Sequence, residues 1–224
     1  MTIRNFTKRL ILEPLSAVFC RPRAQGKIAL TFDDGPDPEF TLQISAALKN
    51  AGARATFFLV GENMHKYPEI VARLHQDGHE LGSHSMTHPE IRDLPTRCFP
   101  DEVDAMYQFS LPDGSPAIRN RYFRPPKGVV SPALVIYCWK KSIRMIFWNR
   151  DPEDYKADSA QQIVEYFVAD PPRSGDIILL HDKTRHIVAA LPELLVSLRS
   201  MNLQPVTISE LLGNKAIGAG YATT

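Results

Sequence analysis

Short apolar runs alternate with segments of helical periodicity along most of this chain of 224 residues. An apolar run at residues 28–30 precedes residues 41–50, whose apolar side chains recur at helical spacing, and the same succession is repeated toward the C-terminus. Roughly seven strands with helices between them are predicted in this way. Because strands that alternate with helices form parallel sheets, the pattern predicts a single α/β domain, either an open parallel sheet or a barrel.

The individual elements follow from the same periodicity. The predicted strands are residues 28–30, 55–59, 79–82, 121–124, 143–148, 176–180 and 205–208. The predicted helices are residues 41–50, 68–75, a helix beginning near 131, 160–167 and 194–201, with Pro192 near the start of the last helix or kinking it. Residues 92–120 give a weaker signal, in which 100–109 could form a helix and 111–116 a loop.

Composition excludes several classes of protein. The formal net charge is +1, with 26 basic and 25 acidic residues and no basic stripe, so nucleic acid is not an expected partner. The three widely spaced cysteines indicate neither a disulfide framework nor a cysteine zinc site. No apolar run is long enough for a transmembrane segment. The oligomeric state is left open.

The N-terminal residues resemble a signal peptide only in part. Three basic residues precede the apolar residues 10–12, but Glu13 and Pro14 end that stretch early. We therefore predict that residues 1–26 form an arm or a short amphipathic lead-in to a domain at 27–224. A cytoplasmic location is favoured, with export or peripheral membrane association left open.

Two adjacent carboxylates follow the first predicted strand. Asp33 and Asp34 enter a turn that Gly35 and Pro36 enforce. Adjacent carboxylates repel each other unless a cation or a shared proton relieves them, so the pair suggests a metal site. One carboxylate can then bind the metal while its neighbour stays free as a base. For this short segment alone, a solvated turn is the alternative.

Two histidines supply further candidate ligands. His84 and His88 are spaced so that a helical turn would project both side chains from one face. Together with Asp34 they form a set of two histidines and one carboxylate, which leaves coordination positions open for water and substrate. One divalent ion is predicted here; zinc is the simplest choice, and the same ligands would take other divalent ions such as Co²⁺ or Ni²⁺.

Three more polar residues follow predicted strands, whose carboxyl ends meet at one rim of a parallel sheet or barrel. Arg124 could hold Asp33 by a bidentate contact, although a surface turn is the alternative. Asp154 beside Tyr155 could orient a histidine and form a pocket wall, or be a solvated acidic residue. His181 ends an apolar strand, as a general acid would, or is a satisfied core histidine.

These segments together resemble the successive motifs of a known family. The matching segments are TFDDGP at 31–36, HSMTH at 84–88, RPPKG at 124–128, DPEDY at 151–155 and LLH at 179–181. In this order they resemble the polysaccharide deacetylase family, the NodB-homology group or carbohydrate esterase family four. The resemblance covers residues from 27 to 210 and implies a distorted (β/α)7 barrel that removes N-acetyl groups from amino sugars with the help of a metal ion.

The resemblance also implies a role for each matched residue. It implies Asp33 as general base held by Arg124, Asp34, His84 and His88 as metal ligands, His181 as general acid tuned by Asp154, and Leu179 as the contact for the acetyl methyl group. A backbone N–H near Lys127 would stabilise the oxyanion. Lys127 stands where the family usually has tyrosine, and Tyr155 replaces the usual tryptophan, so both departures concern substrate preference. Four acidic residues that flank the motifs are interpreted as solvated: Asp37, Asp151, Glu153 and Asp182.

The predicted reaction is N-deacetylation of a polysaccharide, a peptidoglycan-type glycan or a glycan precursor. The alternative is removal of formyl or another acyl group from a lipid- or nucleotide-linked amino sugar. A sugar-binding protein without catalysis is disfavoured because the acid, the base and the ligands are all present. A structural metal site is disfavoured because too few protein ligands are found to close the coordination sphere.

Overall fold

A computed structural model describes residues 17–22 and 24–213. The strands are β1 (Ala17–Val18), β2 (Lys27–Asp33), β3 (Thr56–Leu59), β4 (Glu80–Ser83), β5 (Tyr122–Phe123), β6 (Arg144–Ile146), β7 (Ile177–His181) and β8 (Gln204–Pro205). The α-helices are α1 (Thr41–Asn50), α2 (Gly61–Lys66), α3 (Pro68–Gln76), α4 (Pro132–Lys140), α5 (Ala160–Ala169), α6 (Arg185–Ser200) and α7 (Ile208–Leu211). Short 3₁₀ or π turns are Thr96–Cys98, Pro100–Asp104, Ala105–Gln108, Pro126–Gly128 and Asp154–Lys156.

The strands form a curled parallel sheet in the order β1-β6-β5-β4-β3-β2-β7, with β8 paired separately to β2. A parallel bridge between Arg150 and Ile178 brings the segment after β6 against β7, which closes the ring. The predicted distorted (β/α)7 barrel in one α/β domain is thereby confirmed.

The alternation of side chains along β2 separates the outer core from the barrel interior. Ile28, Leu30 and Phe32 pack among the helices in the largest apolar cluster. Ala29 belongs to the interior cluster with Phe58 of β3. Because successive side chains of a strand point to opposite faces, Thr31 and Asp33 lie on the interior side with Ala29. The strand therefore delivers Asp33 to the mouth of the barrel.

Two predicted elements near the C-terminus are wrong in their bounds. α6 begins at Arg185, with Thr184 as its N-cap, so Pro192 lies inside the helix, as one of the two predicted alternatives had it, and not near its start. Its buried side chains, from Ile187 onward, form an apolar face that stabilises the helix despite the proline. The predicted strand at 205–208 is shorter because Thr207 forms a capping box with Glu210, so residue 208 already belongs to α7.

Part of the predicted N-terminal arm belongs to the sheet. Ala17 pairs with Met145 and Val18 with Ile146, so β1 lies beside β6. Residues 1–16 and 23 lie outside the described residues, and the boundary at residue 26 stays a prediction. Among the residues that the structure describes, no helix combines the length and apolarity needed to cross a bilayer. The cytoplasmic location also stays a prediction, which cell fractionation would test.

Candidate active site

Strand register brings the predicted site residues together at the carboxyl ends of the strands. Asp33 lies opposite His181 in the pairing of β2 with β7. Ser83 lies opposite Phe123, so the residues that follow them, His84 and Arg124, are neighbours at the same rim. The expected clustering of polar residues after the strands is therefore present in the barrel.

Asp34, His84 and His88 converge on one point. Their ligand atoms all lie within 4.8 Å of one another. Asp34 Oδ1 is 3.3 Å from His84 Nε2 and 3.4 Å from His88 Nε2. His84 Nδ1 lies 2.7 Å from the carbonyl oxygen of Arg124, which can only accept, so Nδ1 carries a proton and Nε2 is the nitrogen that faces the ligand group. The chemistry and convergence of these donors fit a divalent metal ion.

The electrostatic environment favours the ligand forms of these side chains. Burial alone would raise the pKa of Asp34, but the hydrogen bond and charge of His84 and the charge of Lys183 outweigh it and hold the pKa well below its usual range. Burial, followed by the charge of His84, lowers the pKa of His88. Metals bind ionised carboxylates and neutral imidazoles, so both shifts favour metal binding.

The segment from His84 to His88 is not the helical turn that the spacing predicted. Ser85 and His88 have φ values of 72° and 57°, in the left-handed region, and the segment is a loop after β4. The Ser85 hydroxyl accepts a hydrogen bond from the His88 N–H at 3.0 Å. The backbone N–H and the hydroxyl of Thr87 both donate to the buried carboxylate of Glu102. Side-chain contacts, and not helix geometry, thus place the second histidine.

Arg124 holds the candidate base. Its guanidinium is fully buried and donates from Nη1 to Asp33 Oδ1 at 2.7 Å. The same nitrogen donates to the hydroxyl of Thr31, also at 2.7 Å, so the bidentate contact predicted with Asp33 is wrong. The ring of Phe58 packs 4.2 Å below the guanidinium carbon and shields it from solvent. Asp33 Oδ2 is the carboxylate oxygen that faces the metal ligands, 3.6 Å from His84 Nε2.

Asp154 orients His181 through two hydrogen bonds. One carboxylate oxygen accepts from His181 Nδ1 and the other from its backbone N–H, each at 2.8 Å. Burial alone would lower the pKa of His181, but the hydrogen bond and negative charge of Asp154 outweigh burial and raise it. With Nδ1 engaged, Nε2 is the nitrogen left to exchange a proton with a substrate.

Three other predicted residues surround this group. Leu179 is buried on the interior face of β7, two residues before His181. The Tyr155 ring packs edge-on to His181 at 4.9 Å and is half exposed, as a pocket wall would be. Lys127 has a φ of 55°, and its ammonium pairs with Glu90. Substrate contacts for these three residues stay predictions.

Two residues near the site were missed or misread from the sequence. Glu102 lies in the poorly legible segment 92–120, and no local pattern marks it as a partner of the histidine loop. Asp182, interpreted as solvated, is fully buried and accepts a hydrogen bond from the Thr41 hydroxyl. Its carboxylate fills the space beside Gly35, where an added Cβ would collide with it. That interpretation is wrong, and a side chain at residue 35 would disturb the turn that carries both aspartates.

Known proteins are similar to this chain in sequence. The family described as Polysaccharide deacetylase matches residues 21–141. A peptidoglycan-N-acetylglucosamine deacetylase of Bacillus cereus is 33% identical over 211 residues, which cover 91% of this chain and 97% of that protein. A chitooligosaccharide deacetylase of Azorhizobium caulinodans is 33% identical over 165 residues, or 70% of this chain and 74% of that protein.

A solved structure shows the same relationship. The crystal structure of the Bc1960 peptidoglycan N-acetylglucosamine deacetylase superimposes with a TM-score of 0.84 and 27% identity, covering 93% of this chain and 97% of the other. Sequence, motif order and fold thus lead to one conclusion: the chain belongs to the polysaccharide deacetylase family.

Proposed function

We propose that this protein is a metal-dependent hydrolase that removes N-acetyl groups from a glycan of the peptidoglycan or chitooligosaccharide type. The observation that carries the proposal is the placement of Asp33 and His181, a candidate base and a candidate acid, opposite each other beside a convergent set of metal ligands. The names of the family relatives support the same substrate class.

Asp34, His84 and His88 would hold the metal ion, for which zinc is the simplest choice. A bound divalent ion in such a site polarises the amide carbonyl and makes water more acidic. Three protein ligands leave positions open, and the partly exposed His88 lies on the solvent side of the group. The site is therefore open to water and to an amide group.

Asp33 is placed to accept the proton of the attacking water. Arg124 occupies its Oδ1 and leaves Oδ2 directed at the metal ligands. The buried guanidinium also balances the negative charge of a carboxylate that is itself buried. Asp33 thus has a paired charge and one free carboxylate oxygen at the mouth of the barrel, as a general base needs.

His181 is placed to donate the proton that the departing nitrogen needs. The oxygen of water forms a bond to the carbonyl carbon, the C–N bond breaks, and a proton from His181 Nε2 converts the leaving nitrogen to an amine. Asp154 stabilises the protonated imidazole before transfer and fixes its orientation. The products are acetate and the free amino sugar.

The test is acetate release from a panel of glycans by the chelated and the metal-restored protein. The panel contains peptidoglycan strands, chitooligosaccharides, and lipid- and nucleotide-linked N-acetyl sugars, with formate release from N-formyl analogues as a parallel readout. We expect metal-dependent acetate release that Asp33→Asn and His84→Ala abolish and the exposed-site control Lys140→Gln retains. Metal binding without release of either acid across the panel would refute the proposal, and formate release alone would favour the deformylase alternative.

A further inference from the structure

Lys183 is a cation at the edge of the candidate site that the catalytic roles above leave unused. Its Nζ lies 3.1 Å from Asp34 Oδ2, and half of its side chain is exposed to solvent. The other carboxylate oxygen of Asp34, Oδ1, faces the two histidines. Lys183 therefore contacts the metal-binding carboxylate from its outer side, next to the opening of the site.

The backbone on both sides of Lys183 is anchored. Asp182 before it is buried and bonded to Thr41. Thr184 after it accepts a hydrogen bond from the Ile187 N–H and caps α6. A residue fixed between a buried carboxylate and a helix cap has little freedom to move its Cα, so the exposed side chain is kept at the rim.

The charge pattern at this point opposes ordinary helix electrostatics. Helix N-termini favour acidic residues because the helix dipole is positive there. α6, which lies wholly within the described residues, has Arg185 as its first residue and no acidic residue in its first turn, directly after Lys183. Local choices that work against stability are expected where function requires them.

The ion pair with Asp34 does not prevent Lys183 from binding another anion. A half-exposed ion pair contributes little to stability because solvent competes for both charges. A divalent ion on Asp34 would also neutralise much of the negative charge that attracts the lysine. In the metal-loaded protein the ammonium is thus free to pair with another anion at low cost.

We propose that Lys183 is a specificity-determining residue that binds an anionic group of the substrate, a carboxylate or a phosphate, close to the N-acetyl group to be removed. The inference rests on the proposed function and adds the charge of the substrate to it. A neutral chitooligosaccharide offers no anionic partner to this lysine. A strand with a sugar carboxylate, or an N-acetyl sugar attached to a phosphate, does.

The test compares matched substrates on the metal-loaded protein. The substrates are a neutral N-acetylglucosamine oligomer, a strand of equal length with a carboxylate on the neighbouring sugar, and an N-acetyl sugar with a linked phosphate. Each is assayed with the wild type, Lys183→Gln, Lys183→Arg and the control Lys140→Gln. Loss of one charge-assisted hydrogen bond predicts a rise in KM of about tenfold for the favoured anionic substrate in Lys183→Gln. In Lys183→Gln we expect kcat for the anionic substrate and KM for the neutral substrate to change less than about twofold. Lys183→Arg should restore KM for the anionic substrate, and Lys140→Gln should match the wild type.

Binding and metal content provide readouts other than turnover. Calorimetry with Asp33→Asn, with and without Lys183→Gln, should show the same loss of affinity for the anionic ligand when both proteins are saturated with metal and their metal content is equal. The carboxylate and phosphate arms show which anion is recognised. Equal effects of Lys183→Gln on neutral and anionic ligands, or a change in metal affinity alone, would overturn the inference. Lys183 would then act only through its ion pair with Asp34. If the wild type releases no acid from any substrate, the proposed function is refuted. The calorimetric binding measurements would still test the role of Lys183.

Discussion

Replacing Asp154 by asparagine tests the assignment of His181 as general acid. Asp154 is fully buried, and each of its two oxygens accepts a hydrogen bond from His181. Asparagine has one oxygen and one NH₂ group, so one of these two N–H donors must then face another donor. Leaving a buried donor unpaired costs about 1–3 kcal/mol of folding stability.

The larger effect is expected on catalysis. If the NH₂ group of asparagine faces the ring, Nδ1 becomes an acceptor and the imidazolium loses the carboxylate that stabilises it. Positioned acid–base groups contribute about 10²- to 10⁴-fold to a rate, so we expect kcat to fall within that range. KM should change little because Asp154 contacts His181 and is shielded from substrate.

The pH profile gives a sharper test than the rate. His181 must be protonated to act, so kcat falls as the pH rises through its pKa. Burial lowers this pKa, and the hydrogen bond and charge of Asp154 raise it by more. Removing the charge lowers the pKa, so the alkaline limb of the profile should move to lower pH in Asp154→Asn.

The assay is acetate release across the pH range by the metal-loaded protein, with the exposed Asp158→Asn as the matched control. Stability is followed in parallel by urea denaturation, so that unfolding is not mistaken for loss of the acid. A variant with wild-type kcat, or with reduced kcat and an unmoved alkaline limb, would contradict the role of Asp154 and leave His181 without its assigned partner.

Three further changes test other parts of the site. Arg124→Met leaves the buried carboxylate of Asp33 unpaired and should cost about 3–5 kcal/mol in urea denaturation; unchanged stability would contradict the buried pair. His88→Ala should lose the stabilisation of about 2.7 kcal/mol that metal at a hundredfold excess over its Kd gives the wild type, measured by melting with and without chelator, whereas His75→Ala should keep it. Burial, aided by the charge of Asp34, raises the pKa of Asp182 from 3.8 to about 7, so the folded protein retains a proton that the unfolded chain loses. Wild-type stability should therefore fall as the pH rises from about 4 to about 7, and Asp182→Asn, measured by urea denaturation of chelated protein, should lack this component.

Local pattern in the sequence was sufficient for most of the strands and helices and for the gathering of polar residues at one rim, although β1 and α2 were not predicted. The alternation of Ile28, Leu30 and Phe32 with smaller or polar residues sets which face of β2 meets the helices. A parallel barrel gathers the ends of its strands at one edge, so residues directly after strands had to meet there. Asp33 and His181 meet for this reason, and the family motifs independently implied the same pair.

Contacts between distant segments were beyond local pattern. The spacing of His84 and His88 favoured a helical turn, but Glu102 from a segment without clear periodicity holds the loop between them. Asp182 reads as a polar loop residue, yet α1 supplies Thr41 as a buried partner for it. Each of these two contacts depends on which side chains the folded chain brings within hydrogen-bond distance. Residue type alone does not predict such a contact.

The sequence by itself therefore predicted the α/β class and the meeting of polar residues at one rim, because these follow from periodicities of two and 3.6 residues. Side-chain chemistry suggested the metal ligands, and the resemblance of the motifs to a known family implied the roles of the candidate acid and base. Only the tertiary structure decided that Arg124 stacks on Phe58 and makes one contact to Asp33, that Asp182 is buried, and that Lys183 contacts Asp34. Burial and charge pairing arise from packing among residues up to about 150 positions apart, and packing is what sets which polar group must find a partner and which stays free for a substrate.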